Sequence, residues 1–240
     1  MENIDLTILE KEPKLDTRAK VIIEPLAPLS MVSDLPGSFY KSLRSPNKKM
    51  LCGLFENLLG WHIDIADRTA IQKDMIKHRK KQKIDYSKPQ NGSTYIPLLY
   101  EYFDIEMVTI PPAIYYIDLW SRAFSRRSDS HKHASGSRYA NADFLSTWRN
   151  ITEKIDKNKK RSSTQKNTLL DNLFKRYKTH FPLYYSTPTQ REFFHFKDSI
   201  QVIINIDFSA LKLVTRVLEK NNLSFLGNSE GWVNINIEQK

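Results

Sequence analysis

The chain is 240 residues long, 40% hydrophobic and 11% aromatic, and 37 Lys+Arg against 27 Asp+Glu give it a formal net charge of +10. This composition supports a genuine hydrophobic core and excludes a chain that is disordered by composition. The single cysteine, Cys52, excludes an intramolecular disulfide and a Cys-rich zinc site, while the basic excess points to a polyanion, nucleic acid before an anionic membrane surface.

Residues 1–15 carry Glu2, Asp5, Glu10 and Glu12 with no long apolar run after them, so no secretory signal is expected. No stretch approaches the roughly 20 apolar residues that cross a bilayer. The expectation is a soluble cytoplasmic protein with no membrane partner. Lys20–Leu26 (KVIIEPL) reads as the first strand, ended by Pro25 and Pro28. After a turn-rich loop over Ser33–Ser45, Ser45-Pro46 is expected to open a helix, with the Ser45 hydroxyl as N-cap and the proline at the first helical position. Leu51, Leu54, Phe55 and Leu58 form its apolar stripe, and Gly60 ends it. Lys48 and Lys49 stand in its first turn, where the helix dipole disfavours cations.

Residues 65–84 are helix-permissive and turn strongly basic at His78-Arg79-Lys80-Lys81-Gln82-Lys83, a run read equally well as a nucleic-acid track or a solvated face. Tyr95–Ile110 and Ala113–Trp120 read as extended segments parted by Pro111-Pro112. Residues 121–187 have the character of an insertion: a polar loop rich in Ser, Arg and His, then two amphipathic helices. Phe144, Leu145, Trp148, Ile151 and Ile155 mark the first helix, and Leu169, Leu170, Leu173, Phe174 and Tyr177 the second. Glu192–Phe196 and Ile200–Asp207 read as a β-hairpin. A helix capped by Ser209 follows, with Leu211, Val214, Val217 and Leu218 on one face, and WVNINI from Trp232 alternates as a last strand with Trp232 in the core. Strand, helix, strands, helix, strand is the order of an α+β, ferredoxin-like split βαβ sheet, the architecture of RNA-recognition (RRM-like) modules.

Three segments together resemble the Cas-five family within the RAMP superfamily of CRISPR-associated proteins. In FYKSLRSPNKKMLCGLFENLLGW (Phe39–Trp61), Pro46, Gly53-Leu54 and Leu58-Leu59-Gly60 match the family's strand-loop-helix pattern. The Arg191-Glu192 pair precedes the late hairpin, and FLGNSEGWV (Phe225–Val233) resembles the turn before the family's last strand. The resemblance implies a single RAMP-type domain over residues 1–240 with a ferredoxin-like core and an inserted thumb within 121–187. It implies a non-catalytic subunit of a type I Cascade-like surveillance complex in antiviral defence. Such subunits hold the 5′ handle of the crRNA and touch a Cas-seven-type backbone subunit and the large Cas subunit, with target DNA as a further partner.

The leading RNA-binding candidate is the loop and helix start formed by Lys41, Arg44, Ser45, Asn47, Lys48 and Lys49, because helix N–H groups attract phosphate and the cations reinforce them. Arg122, Arg126, Arg127, Lys132 and Arg138 form a basic loop opposed only by Asp129, in which Phe124 and Tyr139 offer rings for stacking. Gly227 and Gly231 bracket a turn containing Asn228, where backbone N–H groups can approach a phosphate. His131 and His133 lack a third ligand nearby, so neither a metal nor a cofactor is expected. A minority alternative is a metal-independent endoribonuclease processing precursor crRNA, since one branch of the resembled family uses a Tyr, a Lys and a His. Its residues here would be Tyr40, Lys132 and His133, the histidine as general base on the 2′-OH and the lysine on the phosphorane charge. The remaining alternative is a free-standing basic nucleic-acid-binding protein.

Overall fold

The computed structural model describes residues 4–32, 39–87, 95–120, 142–157, 163–177 and 189–239. The chain divides into two compact units, residues 1–118 with 190–240, and residues 119–189.

The first unit is built on a five-stranded antiparallel sheet. Its strands are β1 (Thr17–Pro25), β3 (Phe103–Thr109), β6 (Ile200–Ile206), β7 (Leu223–Phe225) and β8 (Trp232–Gln239), in the order β3-β6-β1-β8-β7. Central β1 pairs antiparallel with β6, Val21 opposite Val202, and with β8, Val21 opposite Ile237. Strand β3 pairs antiparallel with β6, so β1 and β3 run parallel with β6 between them. Helix α1 (Lys48–Leu58), followed by α2 (Ile65–Lys81), bridges β1 to β3, and α5 (Phe208–Leu218) bridges β6 to β8. These are the two interlocked split βαβ units of a ferredoxin-like sheet, with β7 added at the edge. Alternation explains which face is covered: Ala19, Val21 and Ile23 are fully buried among the apolar stripes of α1 and α5.

Several sequence expectations need correction. Asn47, not Ser45, caps α1: its Oδ1 accepts the Met50 N–H at 2.9 Å. Asp207, not Ser209, caps α5, accepting from the Ser209 and Ala210 N–H groups. Strands β5 (Thr189–Phe196) and β6 are not a hairpin, because β5 sits in a second sheet of order β2-β5-β4, with β2 at Phe39–Tyr40 and β4 at Ala113–Trp120. Likewise, only the end of Tyr95–Ile110 is strand. Trp232 is 41% exposed and packs against Phe225, ring centres 4.1 Å apart and planes tilted by 55°, instead of entering the core. In the second unit, α3 (Ala142–Lys157) and α4 (Ser163–Tyr177) pack together through Phe144, Leu173 and Phe174, as their apolar stripes require.

Residues 95–102, ahead of β3, form no helix or strand, and two buried ion pairs hold them. Glu56 of α1 is 1% exposed: its Oε1 accepts the N–H groups of Leu98 at 2.6 Å and Leu99 at 3.0 Å, and its Oε2 pairs with Arg68 of α2. Arg68 in turn donates to the carbonyls of Ile63, Ile96 and Trp61. Arg79, in the middle of the basic run, is wholly buried: it pairs with Glu101 at 3.3 Å and donates to Lys11 O at 2.8 Å. That residue is therefore a core tie and not part of a nucleic-acid track.

Removing one partner of a buried pair strands the other. Glu56→Gln is expected to lower unfolding stability by about 3–5 kcal/mol, read as a fall in the urea midpoint; an unchanged midpoint would show that the carboxylate charge is dispensable. Cys52 is fully buried, and burial, then the Glu56 carboxylate, pushes its thiol well above the ordinary value. A thiol reagent is expected to label it only at the rate of unfolding, and rapid labelling of the folded chain would contradict that.

Candidate nucleic-acid interface

The loop before α1 is pinned at each step. Strand β2 runs parallel to β5, Tyr40 opposite Arg191, and the Arg191 guanidinium lies 5.2 Å from the Tyr40 ring centre. Two residues after Tyr40, the Ser42 N–H donates to Glu192 Oε2 at 3.0 Å, and Ser42 Oγ accepts the Met31 N–H at 2.8 Å. The Leu43 N–H closes the bridge by donating to Met31 O at 2.8 Å. Arg191 and Glu192, picked out in the sequence as a bare pair, thus hold the ring and the backbone on either side of Lys41. The result is a loop held at Tyr40, Ser42 and Leu43 in which Lys41 and Arg44 are exposed; the Arg44 guanidinium lies 5.9 Å from the centre of the Phe194 ring.

The cations of the helix start divide by direction. Lys48 bends onto β3: its Nζ lies 2.5 Å from Asp104 Oδ1 and 4.3 Å from the centre of the Tyr100 ring. Lys49 faces the other way, into a cavity of about 370 Å³ lined also by Asn47, Asn57, Tyr95, Phe225 and Asn228. Partial burial there pulls the Lys49 ammonium below the usual lysine pKa, a shift that an arriving anion would reverse. Ser45 is half-buried beside the cap, and Pro46 is buried.

The opposite wall of this cavity is the Gly-bracketed turn. Gly227 has φ +82°, and a Cβ there would stand 2.6 Å from Ser30 O; one on Gly231 would stand 2.4 Å from Leu226 O. Both glycines are therefore required by close backbone approach. The turn is closed by Leu226 N–H to Gly231 O at 2.8 Å and by Glu230 N–H to Asn228 Oδ1 at 3.2 Å. Asn228 Nδ2 is enclosed without a hydrogen-bond partner. The turn abuts Ser30–Met31, the same segment that anchors the loop carrying Lys41. Two candidates far apart in the sequence thus meet at one cavity.

Asn57, Tyr95 and Phe225 were not found from the sequence. Tyr95 comes from an irregular segment whose position depends on Glu56; its ring lies over Gly53, and its hydroxyl is pushed well above the usual tyrosine pKa by burial, then by the Glu56 carboxylate. Arg122, Arg126, Arg127, Lys132, His133 and Arg138 lie outside the described residues. Among the described residues no group of three or more His, Cys, Asp and Glu side chains is placed to hold a metal, and no helix is long and apolar enough to cross a membrane.

No curated protein matches the chain. Two solved chains are similar to it at low level. One is from the cryo-EM structure of the Type III-B Cmr-beta bound to cognate target RNA and AMPPnP, state 1, with TM-score 0.34 and 13% identity, covering 92% of this chain and 63% of that one. The other is from the structure of the same assembly bound to cognate target RNA, with TM-score 0.33 and 12% identity, covering 92% and 64%. The chain therefore spans just under two thirds of the length of those chains. The family model described as CRISPR-associated protein Cas5p matches residues 4–237, nearly the whole sequence. The chain belongs to the CRISPR-associated protein Cas5p family.

Proposed function

We propose that this chain is a non-catalytic RNA-binding subunit of a CRISPR effector complex of the type I, Cascade-like kind, and that it holds the 5′ handle of the crRNA. The observation that carries the reading is the convergence of the start of α1, through Asn47 and Lys49, and the turn of Gly227, Asn228 and Ser229 on one cavity. Lys41 and Arg44 supply outward cations for the RNA backbone, while Lys49, Asn47 and Asn228 offer donors inside the cavity. Residues 121–187 serve as an inserted thumb, with Arg122, Arg126, Arg127 and Arg138 as its RNA contacts. A Cas-seven-type backbone subunit and the large Cas subunit are its protein partners in the cytoplasm, and target DNA passes close by.

The test is equilibrium binding of the full chain to a CRISPR-repeat RNA over a range of salt. Each phosphate contact on a single strand contributes about 0.7 to the slope of log K against log salt. Replacing Lys41 and Arg44 together by Ala is expected to flatten the slope by about 1.4. Lys48→Ala is expected to leave the slope unchanged, since that cation is already spent on Asp104. Weak binding with no preference for repeat RNA over an unrelated strand would overturn the handle reading. Loss of slope in Lys48→Ala, but not in the double variant, would move the contact elsewhere.

A further inference from the structure

Ferredoxin-like RNA modules stack single-stranded bases on the sheet face that their helices leave uncovered. Here the cations of that face are neutralised. Arg18 pairs with Glu106 at 2.6 Å, and Lys20 with Glu238 at 3.6 Å. Asn205 and Gln201 of β6 lie beside Arg18 and Ile22. The aromatic pair Phe225–Trp232 stands only at the edge, on β7 and β8.

The second sheet has the opposite character. Tyr40 of β2 and Arg191 of β5 are cross-strand partners, ring against guanidinium. Phe193 follows two positions along β5 on the same face, and the Tyr116 ring of β4 stacks on it at 5.6 Å with 16° between the planes. His195 continues the row and is exposed. Tyr116 remains 42% exposed although it lies against another ring. Same-face positions along a strand are about 6.6 Å apart, wide enough for one base to lie against each ring. The opposing charges near this face are Asp118, on the side of Tyr116 by alternation, and Glu230, which faces Arg191. The row ends at Tyr40, and Lys41 and Arg44 are exposed in the loop that follows, the Arg44 guanidinium lying over Phe194, whose ring alternation places on the other face of β5.

We propose that the Tyr40–Phe193–Tyr116 face is a stacking platform for two or three consecutive unpaired RNA bases, whose backbone runs on from Tyr40 to the loop that carries Lys41 and Arg44. The proposal rests on the RNA-binding reading above and adds the place and mode of base contact. Stacking tolerates any base, because every base has a π face, and it is insensitive to salt, whereas the phosphate contacts are not.

The experiment compares the full chain's affinity for a short oligouridine with that for an abasic ribose-phosphate strand of equal length, across salt. Wild type is expected to prefer the base-bearing strand at least about fivefold. Tyr116→Ala should erase that preference with an unchanged salt slope and melting temperature, and Tyr116→Phe should keep it. Replacing Lys41 and Arg44 by Ala should do the reverse, flattening the slope and leaving the preference. If wild type binds both strands equally, or if Tyr116→Ala retains the preference, the platform is overturned while the RNA-binding reading stands. If wild type binds neither strand, nor the repeat RNA, both readings fall. Retained preference in Tyr116→Ala together with lost association with a protein partner would assign the face to protein contact and overturn the platform.

Discussion

The arrangement of the interface depends on a carboxylate that never touches it. Glu56 is buried in the middle of α1 with both oxygens occupied, by two backbone N–H groups of the segment before β3 and by Arg68 of α2. An apolar pair of equal volume would often be as stable as a buried ion pair. It could not, however, accept the Leu98 and Leu99 N–H groups, and an irregular buried segment needs acceptors for each of its donors. What the pair supplies is position. It fixes Tyr95 over Gly53 as a wall of the cavity and sets Tyr100 and Asp104 where they draw Lys48 aside. The second pair, Arg79 with Glu101, ties the same segment to the amino-terminal residues, through Lys11 O and a Tyr102 hydroxyl that lies 2.9 Å from both Ile8 O and Lys11 O.

The legible parts of the fold were those whose burial follows a local period. β1, α1, α5 and the two helices of the second unit each carry a one-sided apolar pattern, so their type could be read directly, and the order of elements followed. What failed depended on partners distant in sequence. β5 and β6 look like a hairpin because three residues separate them, yet β6 is paired along both edges and belongs between β1 and β3. A strand paired on both edges cannot also take β5. The helix starts were misread for a smaller reason. Ser45 lies two residues from Asn47, and Ser209 two from Asp207, so capping-competent residues competed locally and backbone geometry decided between them.

The candidate site was legible as charge and illegible as direction. Lys41, Arg44, Lys48 and Lys49 are one basic cluster in the sequence, but the chain sends them three ways: two outward, one onto Asp104 and one into the cavity. Asp104 is far along the chain from Lys48, and nothing local announces it. The same holds for Arg79, which sits in a run of four cations yet is the one turned into the core. A basic run on a helix is a stripe around a cylinder, so part of it must face the protein whenever the helix packs. Such a cation is tolerated only where an acid such as Glu101 waits for it.

This sorting changes what the net charge means. The cations that the fold uses for itself, Arg68, Arg79, Lys48, Arg18 and Lys20, each stand beside a carboxylate, and they include those of the open face of the main sheet. Pairing there removes the field that would draw a phosphate to the surface where ferredoxin-like modules ordinarily meet RNA. Exposed cations remain in the loop after β2, at Lys41 and Arg44, and the second sheet carries Tyr40, Phe193 and Tyr116 nearby on one face. An RNA strand needs both an electrostatic track for its backbone and flat apolar surface for its bases. The smaller sheet is where exposed cations and a row of rings lie near each other, while Arg18 and Lys20 of the larger one are paired with Glu106 and Glu238.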